Sequence, residues 1–147
     1  MIVGEGEAVV ACTPDEALAF VLDLERYRRA DYKIGPVRWV RPDATGAVVC
    51  FRSRMAGMPG PVVQQRVDRS DHRLDVHTVK PAWMKYMVEF EGVFECTPVE
   101  GGTRIYHREA LDFHPPFRWV LEPLLRRWLE RDTPAEVNRM ATLLLAR

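Results

Sequence analysis

Between Met84 and Thr97 the chain alternates with a period of two. Met84, Tyr86, Val88, Phe90, Gly92, Phe94 and Cys96 share one face, and Lys85, Met87, Glu89, Glu91, Val93, Glu95 and Thr97 the other. Successive side chains of a strand point to opposite faces, so the pattern predicts a strand with one buried and one wetted side. An antiparallel sheet solvated on one face has this signature. After the Gly101-Gly102 turn, a second strand carries Ile105, His107, Glu109, Leu111 and Phe113 on its apolar face. Earlier strands are expected over 2–12, 37–41, 47–56, 61–69 and 73–79, with turns at Pro42–Gly46 and Gly57–Gly60 and a break at Lys80-Pro81.

Helical spacing appears twice. Thr13-Pro14-Asp15-Glu16 supplies a capping residue, a proline at the first helical position and a capping-box glutamate. The apolar stripe Ala17, Leu18, Phe20, Val21 and Leu22 follows, and 24–30 continues as a second short helix with Tyr27 turned inward. From Pro116 to Arg147 the residues Phe117, Leu121, Leu124 or Leu125, and Trp128, then Val137, Met140 or Ala141, and Leu144, recur at helical intervals. Pro123 predicts a kink, and Thr133-Pro134-Ala135-Glu136 repeats the capping signature and predicts a short break. A strand, two short helices, six strands and a long helix place the chain in the α+β class.

The 147 residues fit one domain, and an apolar fraction of 47% excludes a disordered chain. The 21 basic and 21 acidic residues cancel, and the arginines are dispersed, which argues against nucleic acid as a partner. Cys12, Cys50 and Cys96 are far apart and odd in number, as expected of reduced thiols in a cytoplasmic protein. The sequence offers no signal peptide and no integral membrane segment. His72, His77, His107 and His114 lack metal-ligand spacing, so no metal is expected, and no motif calls for a cofactor.

The order of these motifs resembles the START-like family, also called SRPBCC or Bet v 1-like. The resemblance spans essentially the whole chain. It rests on Thr13-Pro14-Asp15-Glu16-Ala17, Asp23-Leu24-Glu25-Arg26-Tyr27, Gly101-Gly102-Thr103-Arg104, and His107-Arg108-Glu109 ahead of a helix carrying Glu122-Pro123-Leu124-Leu125-Arg126-Arg127-Trp128. It implies a helix-grip fold, a curved antiparallel sheet of about seven strands wrapped around the long C-terminal helix. Within the family the chain looks most like the polyketide cyclase/dehydrase branch. There Arg66 falls on a pocket arginine, and Phe90, Phe94, His107 and Glu109 fall on pocket-lining positions. Where those enzymes carry tryptophans near the arginine, this chain has Gly60 and Val62.

His107 and Glu109, two apart on one strand, project from the same face and are candidates for a general acid/base pair or for polar anchors of a ligand. Arg66 is expected to turn inward and join them, polarising a carbonyl. Arg52 and Arg54 are read as the wet face of their strand, which leaves Phe51, Ser53 and Met55 facing inward. Tyr27, Phe51, Ser53, Met55, Gln64, Tyr86, Phe90, Phe94 and Trp119 are the candidate ligand-binding residues, with Trp83 beside them. A cavity between sheet and helix would hold a small hydrophobic or aromatic molecule. Two functions fit: a polyketide aromatase/cyclase/dehydrase, or a lipid or quinone carrier or sensor without chemistry. A homodimer is compatible with either. The acid–base reading requires Arg66, His107 and Glu109 to share one cavity.

Overall fold

The computed structural model describes residues 1–146. Its first strand, β1 (Ile2–Val10), is followed by α1 (Pro14–Leu22) and α2 (Leu24–Tyr27). The chain then runs through β2 (Ile34–Asp43), β3 (Gly46–Met55), β4 (Met58–Ser70), β5 (Arg73–Lys80), β6 (Val88–Val99) and β7 (Gly102–Phe113), and ends in α3 (Phe117–Leu145). All strands are antiparallel and form one sheet in the order β1-β7-β6-β5-β4-β3-β2. Strands β2 to β7 are thus a meander, and β1 closes onto β7 to put both chain ends near α3. This is the helix-grip fold.

The local signals explain the elements. The Thr13 side chain accepts a hydrogen bond from the Glu16 N–H at 3.1 Å, and Glu16 reaches back to the Thr13 N–H at 3.3 Å, the reciprocal capping box. The β3–β4 hairpin turns on two residues, Ala56 and Gly57, both with positive φ, which matches the twist of paired strands. Met58 to Gly60, expected in a turn, therefore belong to β4. Register shifts within β2/β3, β3/β4 and β4/β5 are the bulges that bend the sheet around the helix.

Two further expectations need correction. The strand expected from Met84 begins only at Val88, because Ala82–Tyr86 form a 3₁₀ turn in which Met84 N–H bonds Pro81 O at 3.1 Å. Only Met84 to Tyr86 of the alternating run fall in this turn, too few residues for periodicity to separate it from the strand that follows. Helix α3 runs unbroken through Pro123 and Pro134. Its packing against β1 outweighs the one hydrogen bond each proline removes, and Thr133 lies inside the helix, donating its hydroxyl to Leu129 O at 3.1 Å instead of capping.

Glycines set how closely α3 lies on β1. A Cβ at Gly6 would stand 2.6 Å from Pro134 Cα, and one at Gly4 would collide with the Thr133 side chain and come within 2.6 Å of Leu129 O. The apolar core divides into two parts. The larger joins α1, α2 and the C-terminal half of α3 through Leu18, Phe20, Phe94, Met140 and Leu144. The smaller joins the N-terminal half of α3 to β1, β6 and β7 through Ile2, Leu111, Phe113, Leu125 and Leu129. Gly6→Val is expected to lower unfolding stability by roughly 1–3 kcal/mol, because backbone atoms of α3 must retreat. Urea denaturation of the purified variant measures this.

Candidate functional site

A cavity of about 250 Å³ opens between α3 and the sheet. Inward side chains of β3 and β4 form one wall, among them Phe51, Ser53, Met55 and Val63. Leu111 and Phe113 of β7 with Leu121 and Leu125 of α3 form another. The period-two alternation of β3 turns these residues inward and Arg52 outward. Three charged residues also line the cavity: Asp31, which is buried, Lys33, which is partly buried, and Arg54, which is exposed.

Asp31 and Lys33 come from the turn between α2 and β2. The turn is held over α3 by Arg139, whose Nε donates to Ala30 O at 2.7 Å. Lys33 Nζ lies 2.8 Å from Asp31 Oδ1, 3.0 Å from Glu109 Oε1, 3.2 Å from Asp132 Oδ2 and 2.7 Å from Glu136 Oε1. His107 extends the cluster. Its Nε2 lies 2.6 Å from Glu109 Oε1 and 2.9 Å from Glu136 Oε2, and its Nδ1 lies 2.8 Å from Val93 O. Both ring nitrogens face acceptors only, which requires the doubly protonated imidazolium. Tyr27 completes the group by donating its hydroxyl to Glu136 Oε2. Phe94 stacks on the His107 ring with centroids 3.8 Å apart.

The titration of these groups follows from burial and neighbours. Burial opposes the charge on His107, but Glu136 and Glu109 outweigh it and push its pKa up to about 10. Burial likewise opposes Lys33, and Asp31 with the other three carboxylates holds its pKa well above the usual lysine range. Burial raises the Glu109 carboxyl, yet Lys33 and His107 bring it below its usual value. Asp31 goes the other way. Burial and then Glu136 raise it more than Lys33 lowers it, to about 6. Burial and the Glu136 carboxylate raise the Tyr27 hydroxyl well above its usual range.

The residues anticipated from sequence separate into three groups. Phe51, Ser53, Met55 and Phe90 line the main cavity. Tyr27, Phe94, His107 and Glu109 line a smaller inner cavity of about 40 Å³, which shares Asp31, Ile34, Gln65 and Phe90 with the main one. Arg66, Gln64, Tyr86 and Trp119 lie elsewhere. Arg66 is on the outer face of β4, where it binds Asp43, Asp68 at 2.8 Å and the Thr45 hydroxyl at 2.5 Å. The phase of β4 is set by Val63, Gln65 and Val67 facing inward, so Gln64 and Arg66 face out and Gln65 lines the cavity. Tyr86 is 73% exposed on the 3₁₀ turn, with Trp83 also exposed there. Trp119, 70% exposed, lies near the start of α3 and lines neither cavity. The constellation of Arg66, His107 and Glu109 therefore does not exist. The polar cluster is instead Asp31, Lys33, Asp132 and Glu136 with His107 and Glu109, and four of these six were not anticipated. Glu136 carried a signal: it occupies the buried stripe Leu125, Leu129, Thr133, Val137, Met140 and Leu144, where a charge is out of place. Lys33 carried none.

His107, Glu109 and Glu136 place ligand atoms within 4.8 Å of one another, as do Asp31, Asp132 and Glu136. Lys33 Nζ already lies within 3.2 Å of an oxygen of Asp31, Glu109, Asp132 and Glu136, so an ion at either set would stand close to an ammonium, and the sets do not fit a metal ion.

The whole length of this fold has counterparts among known proteins. The family described as polyketide cyclase / dehydrase and lipid transport matches residues 1–144. The chain belongs to that family. No match is found among curated proteins. Among solved structures, the protein TTHA0849 from Thermus thermophilus is similar with a TM-score of 0.78 and 14% identity over 98% of this chain and 97% of that one. The Zhui aromatase/cyclase from Streptomyces sp. R1128 gives 0.68 and 17% over 99% and 94%. Norcoclaurine synthase from Thalictrum flavum gives 0.65 and 15% over 99% and 87%. At these identities the likeness is one of fold. No helix among the described residues is long and apolar enough to cross a membrane.

Two consequences for this member of the polyketide cyclase / dehydrase and lipid transport family are measurable. Lys33→Met leaves buried carboxylates without their cation and is expected to cost about 3–5 kcal/mol in unfolding stability, by denaturant titration. Adding Glu136→Gln to it is expected to recover part of that loss. The His107 pKa is raised from 6.5 to about 10, so between those values the folded protein keeps a proton that the unfolded chain has released. The contribution is complete below about pH 6.5 and is lost as pH rises toward about 10. Melting temperature is expected to fall across that window, and to fall less in His107→Gln.

Proposed function

We propose that this protein binds a small, mainly apolar carbonyl compound in the cavity under α3, and that Asp31 exchanges a proton with it. The observation that carries the reading is the placement of charge: apolar walls lead to one buried carboxyl group, Asp31, with the Lys33 ammonium 2.8 Å behind it. A base works best when its pKa lies near the operating pH, and Asp31 at about 6 meets that condition. An Asp31 oxygen would take a proton from the carbon beside the carbonyl. The C–H electron pair would pass into an enolate, whose negative charge Lys33 would stabilise. Returning the proton to carbon or oxygen restores Asp31. Enolisation of this kind is the elementary step of aldol ring closure and of dehydration, the chemistry in the family's description. The apolar walls would hold a flexible chain in one folded shape and so lower the entropic part of the barrier.

The aromatase/cyclase named among the similar structures supports this reading by fold alone. A second reading, a carrier without chemistry, is supported by the apolar lining and by the lipid transport part of the family description. Exchange of the α-protons of 2-tetralone in D₂O, followed by proton NMR, separates the two. The protein is expected to accelerate exchange, with a rate that rises with pH through about 6 as Asp31 ionises. Asp31→Asn is expected to lose roughly 100-fold of the acceleration. Binding of 2-tetralone without exchange would assign the carrier, and no binding would end both readings.

A further inference from the structure

Phe90 borders three cavities. It lines the main cavity, the inner cavity of about 40 Å³, and a cleft of about 410 Å³ between the far ends of β5 and β6. The cleft exists because β5–β6 pairing stops at His77 and Glu91, although β5 continues to Lys80 and β6 starts at Val88. The Phe90 ring lies back along β6 over Gly92. A Cβ at Gly92 would meet Phe90 Cζ at 3.4 Å, so the ring occupies the space that the glycine leaves. Gly92 in turn pairs with Glu109 on β7. The ring thus stands between the main cavity and Glu109.

Glu109 has one oxygen in use. Oε1 meets Lys33 and His107, whereas Oε2 has no hydrogen-bond partner among the described residues, with the side chain only 1% exposed. Leaving a buried carboxylate oxygen without a donor is expensive, and such a group calls for an explanation. Glu109 lines the inner cavity, whose volume exceeds what one water-sized group needs. The partner that fits is an uncharged donor. A second carboxylate would be repelled by Glu109, Asp31 and Glu136, and an added cation would face Lys33 and His107 at close range.

We infer that the inner cavity is a second ligand subsite, in which a hydroxyl group donates a hydrogen bond to Glu109 Oε2 once the Phe90 ring has turned into the β5–β6 cleft to admit it. The inference rests on the reading that the main cavity holds a small apolar molecule. It adds a requirement on that molecule: a hydroxyl or phenol at the end that passes Phe90.

Fluorescence titration with 2-naphthol and 2-methoxynaphthalene tests it, since the two share a ring system and only the first can donate. The protein is expected to prefer 2-naphthol by roughly tenfold, the effect of one hydrogen bond to a charged acceptor. Glu109→Leu is expected to abolish the preference while still binding 2-methoxynaphthalene. Phe90→Trp, which leaves the ionic cluster intact and blocks the passage, is expected to abolish it too. Phe90→Ala is expected to keep it and to speed association. Equal affinity for the two probes in the unmodified protein would overturn the subsite and leave the main-cavity reading standing. A preference that survives in both Glu109→Leu and Phe90→Trp would place the donor elsewhere and overturn it as well. Failure of both probes to bind would overturn the subsite together with the reading beneath it.

Discussion

Moving an ammonium group out of water costs several kcal/mol even after the surroundings relax, so a buried lysine persists only where carboxylates surround it. Lys33 meets that condition with Asp31, Glu109, Asp132 and Glu136, each within 3.2 Å of Nζ. These partners come from the α2–β2 turn, from β7 and from α3. One side chain therefore ties the turn, the sheet and the helix together at a single point, and His107 shares with it the charge of Glu109 and Glu136. Arg139 reinforces the arrangement from the rim, with Nη2 3.3 Å from Asp132 Oδ1.

This cluster divides the interior. On one side lies the larger apolar core, where α1, α2 and the last turns of α3 pack tightly. On the other, the smaller core leaves the cavity open beneath the first turns of α3. The close seating of α3 on Gly4 and Gly6 fixes Thr133 against β1, and Glu136 follows one turn later, in reach of Lys33, His107 and Tyr27. Backbone approach and buried charge are thus one constraint: if α3 stood farther from β1, the carboxylates on it would lose their cations. The Asp31 carboxyl, shared between the cluster and the cavity, is where this electrostatic framework meets whatever occupies the pocket.

Much of the fold was legible along the chain. The capping box at Thr13, the alternation over Val88 to Cys96, the Gly101-Gly102 turn and the apolar spacing of the last thirty residues each report a local preference, and together they specify an α+β sheet gripping a helix. The errors arose where two local structures share a pattern. The last residues of the 3₁₀ turn, Met84 to Tyr86, happen to extend the alternation of β6, and Thr133-Pro134-Ala135-Glu136 mimics a helix start inside a continuous helix. The inward facing of Phe51, Ser53 and Met55 was readable because arginines mark the other side of β3, whereas in β4 the inward Gln65 is as polar as Gln64 on the outer face.

By itself the sequence determined most of the elements and which face of most strands is buried, because period and capping are properties of neighbours along the chain. It also placed His107 and Glu109 on an apolar face, the first sign that charge lies inside. Only the tertiary structure decided what those charges meet. Lys33 sits in a six-residue connection with no periodicity of its own, and Glu136 lies 103 residues further along. Their 2.7 Å contact depends on how the helix seats against the sheet, and a pairing set by the packing of distant elements leaves no local pattern to read.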